Sequence, residues 1–221
     1  MKQWLKIERI PGPLTSSYEK ATRMVLESYY RPIAEKIVSS LTEGTILDLG
    51  TGPGYLVIEI TKRSSSIKVV GIDLSRKLIH MAQASALRAG VSDRLDFEVG
   101  NAARLRFEDA VFDMIISTGM FHSLRDPVKV LREIYRVLKK DGEAWIYDPA
   151  RISSQINVKK WKALLTLRER FNLRLFTILR LFNPPIKPYN RTQLINMIAS
   201  TNFKTYWIEK NDDEMQIKLK K

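Results

Sequence analysis

Apolar and polar positions follow a regular rhythm along the middle of the chain. Short apolar runs at Ile46–Leu49, Ile67–Ile72, Leu95–Val99, Phe112–Ser117 and Glu143–Tyr147 have the length of buried strands. Between most of them, apolar residues recur every three or four positions, which predicts helices over Tyr55–Arg63, Ser75–Ala89 and Asp126–Lys139. Ser75 reads as the N-cap of the second helix and Gly90 as its stop. Lys139-Lys140 puts cations at the negative end of the third. Strands alternating with helices predict βαβ units, and right-handed crossovers limit them to a doubly wound, mostly parallel α/β sheet covered on both faces.

The flanks depart from this rhythm. Residues 1–13 read as an arm ending in Pro11-Gly12-Pro13. Met24, Val25, Ile33, Ile37, Val38 and Leu41 predict a helix from about Ser16 to Ser40, broken or kinked by Pro32 near Arg31. Residues 151–190 are apolar, basic and mostly helical, with Asn183-Pro184-Pro185 as a helix stop. A helix over Arg191–Ser200 and strands over Phe203–Ile208 and Met215–Leu219 follow, with Asn211-Asp212-Asp213 as a turn, giving the sheet an antiparallel finish. The expected organisation is one domain over 1–221. It comprises an arm and helix at 1–42, a ligand-binding core at 43–150, a basic helical insertion or lid at 151–190, and a helix with two strands at 191–221.

With 44% hydrophobic and 28% charged residues, 221 residues suit a globular domain with a full core. No run of 18 apolar residues predicts a transmembrane helix, and the first nine residues lack the apolar segment of a signal peptide, so a cytoplasmic location is expected. The absence of cysteine excludes disulfides and thiolate chemistry, and His80 and His122 stand too far apart for metal-ligand spacing, so no metal is expected. The net charge of +13 is uneven: ten cations and one acid, Glu169, fall between Arg151 and Arg191. That basicity is compatible with nucleic acid, an anionic membrane surface or an acidic substrate.

The densest chemistry lies at Ile46-Leu47-Asp48-Leu49-Gly50-Thr51-Gly52-Pro53-Gly54, a strand running into a loop with glycine at every second position. Such a loop lets a ligand press on bare backbone, beside the free N–H groups of the helix that follows. The dinucleotide fingerprint G-x-G-x-x-G would need glycine where Tyr55 stands, and a Walker loop would need Gly-Lys-Ser/Thr. A nucleoside poorer in phosphate is therefore favoured. Asp73 ends the second strand 19 residues past Gly54, where an acid can accept hydrogen bonds from both ribose hydroxyls. The plainer alternative has Asp73 helping to cap the helix at Ser75.

Read together with Gly71-Ile72-Asp73-Leu74-Ser75, Val99-Gly100-Asn101-Ala102, Phe112-Asp113-Met114-Ile115-Ile116-Ser117-Thr118-Gly119-Met120-Phe121-His122 and Val130–Gly142, the chain resembles the class I S-adenosylmethionine-dependent methyltransferases that act on small molecules. The resemblance spans 46–142 in the family's order. Residues 143–150 and 191–221 fit more loosely, and 151–190 has no recognised counterpart. It implies a Rossmann-like, seven-stranded sheet with the last strand antiparallel. It also implies S-adenosyl-L-methionine as cofactor and S-adenosyl-L-homocysteine as its spent form. Gly50, Thr51, Gly52, Pro53 and Gly54 would lie beneath the methionine part and ribose. Asp48 would order that loop or reach the amino group through water. Asp73 would hold the ribose and Leu74 flank the adenine. Asn101, where the family often has Asp, would accept from the adenine amino group, and Ala102 would offer its backbone N–H. Ser117 and Thr118 would line the methionine side. Tyr18 and Tyr29 are candidates to close over the cofactor, packing being the alternative. His122 is the best candidate for a base, and Asp148, ending the fifth strand, for a group facing the acceptor. His80 reads as structural.

Trp161, Leu164, Leu165, Leu167, Phe171, Leu175, Ile178, Leu179 and Phe182 recur at near-helical spacing among the cations. The reading preferred is a lid over the acceptor site, with peripheral membrane contact through 155–182 as a second use. Three functions follow: methylation of a small apolar or anionic acceptor, methylation of RNA by way of 151–191, or binding of the cofactor without transfer. The small-molecule reading ranks first, because no RNA-binding module or stacking platform is evident. Monomer and homodimer are both left open.

Overall fold

The computed structural model describes residues 8–149, 158–180, 189–210 and 214–221. Most of the N-terminal arm, the Asn183-Pro184-Pro185 stop and the Asn211-Asp212-Asp213 turn lie outside them. Seven strands form one sheet in the order β3-β2-β1-β4-β5-β7-β6. They are β1 Gly44–Leu49, β2 Ile67–Asp73, β3 Leu95–Val99, β4 Phe112–Thr118, β5 Leu138–Pro149, β6 Thr205–Lys210 and β7 Glu214–Lys220. The first five pair in parallel, and β7 runs antiparallel to both β5 and β6. The helices are α1 Thr15–Met24, α2 Arg31–Ser40, α3 Tyr55–Arg63, α4 Arg76–Ala89, α5 Pro127–Val137, α6 Val158–Ala163, α7 Leu167–Arg180 and α8 Arg191–Ala199. None of the described helices is long and apolar enough to cross a membrane.

Strand periodicity divides the core into two layers. On β1, Ile46 faces α2 and α3 among Ile33, Ile37, Val57 and Ile60, while Leu47 and Leu49 face α5 and α8 among Leu131, Ile134, Leu194 and Ile198. Asp48 falls on the Ile46 side by the same alternation, which buries it beneath helices. The carboxyl ends of the central strands finish level, with Leu49 beside Ile72 and Ser117, Asp73 beside Val99, and Thr118 beside Tyr147.

The structure corrects two expectations. The helix predicted over Ser16–Ser40 is two helices joined by a π-helical turn at Leu26–Tyr30. Pro32 sits in the first turn of α2, where a missing N–H costs nothing, and the wide turn upstream absorbs its ring, with Tyr30 N–H reaching Val25 O at 3.4 Å. The third core helix stops at Val137, so Lys139-Lys140 belongs to β5 rather than to the helix tail. There β5 pairs Leu138 with Phe112, then shifts register so that Glu143 faces Met114, with Asp141 at a φ of 65° in the bulge. The basic segment, for its part, is pinned to α1. Trp161 Nε1 donates to Ser17 O at 3.0 Å, and Lys20 Nζ donates to Glu169 Oε2 at 2.8 Å and Leu164 O at 2.9 Å.

Candidate active site

The loop leaving β1 is built on backbone. The N–H groups of Gly50 and Thr51 both donate to Ile72 O at 2.9 Å, which ties the loop to β2. Gly52 has φ 56° and Gly54 φ 79°, conformations that side chains resist. At Gly54 space forbids one too, because a Cβ would lie 3.0 Å from the Ala82 Cβ and 3.2 Å from the Phe97 ring. At Gly52 the nearest atom to a Cβ would be Cε1 of Tyr18 at 3.6 Å, so that ring covers the outer side of the loop. Helix α1 holds Tyr18 there through a second tyrosine. Tyr55, directly after Gly54, donates to Glu19 and accepts from Arg23 Nε at 3.1 Å.

Asp73 joins the loop to β2. Its Oδ2 accepts Gly52 N–H at 3.1 Å and its Oδ1 accepts Ser75 N–H at 2.7 Å, while Ser75 Oγ caps α4 by accepting Leu78 N–H. A carboxylate offers about four acceptor positions, so two remain for a ligand. Burial raises the Asp73 carboxyl above the usual range, and the two N–H groups offset part of that. Burial also pushes the Tyr18 phenol up to about 12, helped by the charges of Asp73 and Asp48.

Asp48 is 2% exposed, and its Oδ1, like Thr51 Oγ1, is buried with no hydrogen-bond partner among the described residues. Burial, with a contribution from Asp73, lifts its carboxyl to about 7, and nearby Thr51 offsets part of that rise. Two buried polar atoms without partners beside a backbone cradle suit a ligand that brings a cation and hydroxyls. The raised carboxyl also sets a pH dependence. Between about pH 4 and about pH 7 the folded chain keeps a proton that the unfolded chain releases, so stability falls as pH rises through this window. Above it the cost approaches about 4 kcal/mol, because each tenfold difference in proton affinity between the folded and unfolded chain is worth about 1.4 kcal/mol. Asp48→Asn is therefore expected to raise the urea midpoint at about pH 8 and to change little at about pH 4. An equal effect at both values would show that Asp48 titrates normally.

A second cluster lies at the ends of β4 and β5. His122 Nδ1 is 2.7 Å from Oδ1 of the buried Asp148. Gly119 N–H donates to Tyr147 O at 2.8 Å, which holds the β4 exit against β5. Met120 bridges the two clusters: its Sδ lies 2.9 Å from where a Cβ on Gly50 would stand.

Leu74 is half-buried beside Asp73, and Pro53 is buried in the loop. Gly100 N–H donates to Asp73 O at 3.1 Å, which sets Asn101 and Ala102 beside the end of β2. Asn101 is exposed and spends one lone pair of Oδ1 on Ala103 N–H at 2.8 Å. Thr118 is half-buried, whereas Ser117 is buried and donates to Leu49 O at 3.1 Å, which joins β4 to β1. Tyr29 packs edge-on against Tyr30 and is electrostatically linked to Glu214 and Asp148. His80 is on the exposed face of α4. Inspection of the sequence missed Met120, Phe97 and the union of His122 with Asp148. For the last a signal existed, since adjacent parallel strands bring their carboxyl ends together.

Comparison with known proteins adds to this geometry. A methyltransferase domain model matches residues 41–211. The ubiquinone/menaquinone biosynthesis C-methyltransferase of Geotalea uraniireducens is 26% identical over 147 residues, covering 65% of this chain and 63% of that protein. The demethylmenaquinone methyltransferase of Lactococcus lactis is 30% identical over 141 residues, covering 62% and 56%. The chain thus matches less than two thirds of the length of these relatives. A solved structure from Methanococcus maripaludis, described as an S-adenosyl-L-methionine-dependent methyltransferase, superposes with a TM-score of 0.74. It is 23% identical and covers 99% of this chain and 96% of that one, a likeness of fold.

Proposed function

The chain belongs to the methyltransferase-domain family matched over residues 41–211, and from that premise we propose that it methylates a small, apolar acceptor bearing an acidic proton, with S-adenosylmethionine as donor. The observation that carries the cofactor reading is Asp73, whose two oxygens are aimed by Gly52 N–H and Ser75 N–H with acceptor capacity to spare. When bound, S-adenosylmethionine supplies a methyl group already activated on a sulfonium. The task left to the protein is alignment, which can supply on the order of 7–11 kcal/mol of a barrier.

In this reading the loop from Gly50 to Gly54 lies beneath the methionine part and ribose, and Asp73 accepts from the ribose hydroxyls. Asp48, with Thr51 near it, answers the cofactor's ammonium. Leu74 flanks the adenine, Ala102 offers its backbone N–H to the ring, and Asn101 uses its second lone pair on the ring amino group. Tyr18 covers the loop, and Thr118 lines the methionine side. His122, held by Asp148, takes the proton that the acceptor must lose. The names of the Geotalea and Lactococcus relatives support a quinol-like ring as the acceptor chemistry to try first.

The test combines calorimetry with S-adenosylhomocysteine and transfer of labelled methyl from S-adenosylmethionine to hydroxynaphthoquinol acceptors, with RNA as the control. Binding heat and labelled quinol are expected. Absence of heat with either cofactor form on folded protein would overturn the cofactor reading. Heat with no labelled quinol would overturn the acceptor, and label in RNA alone would move the substrate to nucleic acid.

A further inference from the structure

We infer that the outer face of α6 and α7 is a docking surface for an anionic phospholipid bilayer. The inner face of this segment is committed to α1 through Trp161, Lys20 and buried Glu169. The outer face carries Leu164, Leu167 and Phe171, which are 54%, 84% and 66% exposed. Leu167 and Phe171, four residues apart on α7, fall on one face of that helix, and Leu164 lies in the turn that joins α6 to it. Other large exposed apolar side chains among the described residues (Leu87, Val99, Val111 and Trp207) are scattered over separate elements. Apolar exposure concentrated in eight residues calls for an occupant.

Charge identifies the occupant. Lys159, Lys160, Lys162, Arg168, Arg170 and Arg174 are all exposed around Leu164, Leu167 and Phe171. The one acid between residues 158 and 174, Glu169, is turned inward onto Lys20. A cleft of about 650 Å³ opens between α6 and α7, lined by Lys159, Lys162, Arg170 and Arg174 with Leu165 and Leu173. Arg170 Nη2 holds it together by donating to Lys162 O at 3.1 Å. Protruding leucine and phenylalanine beside a cationic cleft match acyl chains beside phosphate headgroups. A nucleic-acid backbone would match the cations and leave Leu164 and Leu167 in water. Because α1 places Tyr18 on the glycine loop, a bilayer at this face would stand next to the helix that covers the site. That link to acceptor delivery rests on the proposed function; the surface itself does not.

The test is flotation of the whole 221-residue chain with phosphatidylcholine vesicles, with and without phosphatidylglycerol, at low and high salt. Binding is expected only to the anionic vesicles and is expected to weaken as salt rises. Lys159→Gln/Lys162→Gln/Arg174→Gln should lose about a hundredfold in affinity, given the contribution of each cation near such a surface. Leu167→Glu/Phe171→Glu should lose at least about tenfold. Both variants alter exposed side chains, so unchanged melting and unchanged heats with S-adenosylhomocysteine should show them folded, and those heats test the cofactor site separately. Equal binding to neutral vesicles, no binding to either, or unaltered binding by the Leu167→Glu/Phe171→Glu variant would overturn the inference. Displacement from vesicles by an RNA hairpin at comparable concentration would overturn it in favour of nucleic acid.

Discussion

Replacing His122 with alanine is expected to lower kcat by about two to four orders of magnitude, the usual worth of a positioned general base. Affinity for S-adenosylhomocysteine should stay within about twofold, because the lost group serves proton transfer and not cofactor binding. Nδ1 faces Asp148 Oδ1 at 2.7 Å, so the neutral ring keeps its proton there and leaves the Nε2 lone pair available. Asp148 is buried, and its second oxygen has no hydrogen-bond partner among the described residues. As Nε2 takes a proton, that carboxylate stabilises the imidazolium.

Asp148→Asn separates geometry from charge. It keeps the shape but offers an amide N–H to Nδ1, which moves the ring proton to Nε2 and removes the base. A loss close to that of His122→Ala is expected, as tautomer reversal does in other His–Asp pairs. Parental rates in both variants, with lowered melting temperatures, would make the pair a structural clasp and would mean that the acceptor reacts without giving up a proton to it.

What could be read from the chain alone, and what could not, follows from the range of the forces involved. The strands and α4 were legible because burial and capping are local: Ser75 and Gly90 bound that helix as their chemistry requires. The glycine loop and Asp73 were legible because both belong to one βαβ unit, and contact between them needs only β1 and β2 to pair. The π-helical turn was hidden, since Pro32 announces a break without saying which turn yields. Neither Lys139-Lys140 nor its neighbours reveal that the strand begins at Leu138, because that depends on pairing with Phe112. Tyr55 looked only like a missing glycine; its hydroxyl ties α3 to Glu19 and Arg23 on α1, which local pattern does not report. His122 and Asp148 lie 26 residues apart, and each was notable singly. Their union required the strand order.

Asp73→Ala is expected to weaken S-adenosylhomocysteine binding by about a hundredfold or more. Hydrogen bonds to a charged group contribute about 1.5–3 kcal/mol each, so losing two accounts for roughly 3 kcal/mol at the least, and 1.4 kcal/mol is tenfold. The variant also leaves the N–H groups of Gly52 and Ser75 without their acceptor, loosening the loop that the ligand must press on. Stability should suffer less than affinity, because burial already holds the Asp73 carboxyl above its ordinary range and its removal relieves that cost. Affinity alone does not prove contact with ribose, so the ligand must be altered as well. The parent should bind adenosine more tightly than 2′-deoxyadenosine, and Asp73→Ala should bind the two alike. That coupling is what a double-mutant cycle isolates, free of general damage to the loop. Asp73→Asn keeps one acceptor oxygen but turns an amide N–H towards Gly52 or Ser75, so it should fall between parent and alanine with partial discrimination. A parent indifferent to the ribose hydroxyl would show that Asp73 serves the loop and the cap at Ser75 alone, and the nucleoside would then have to be held by other groups.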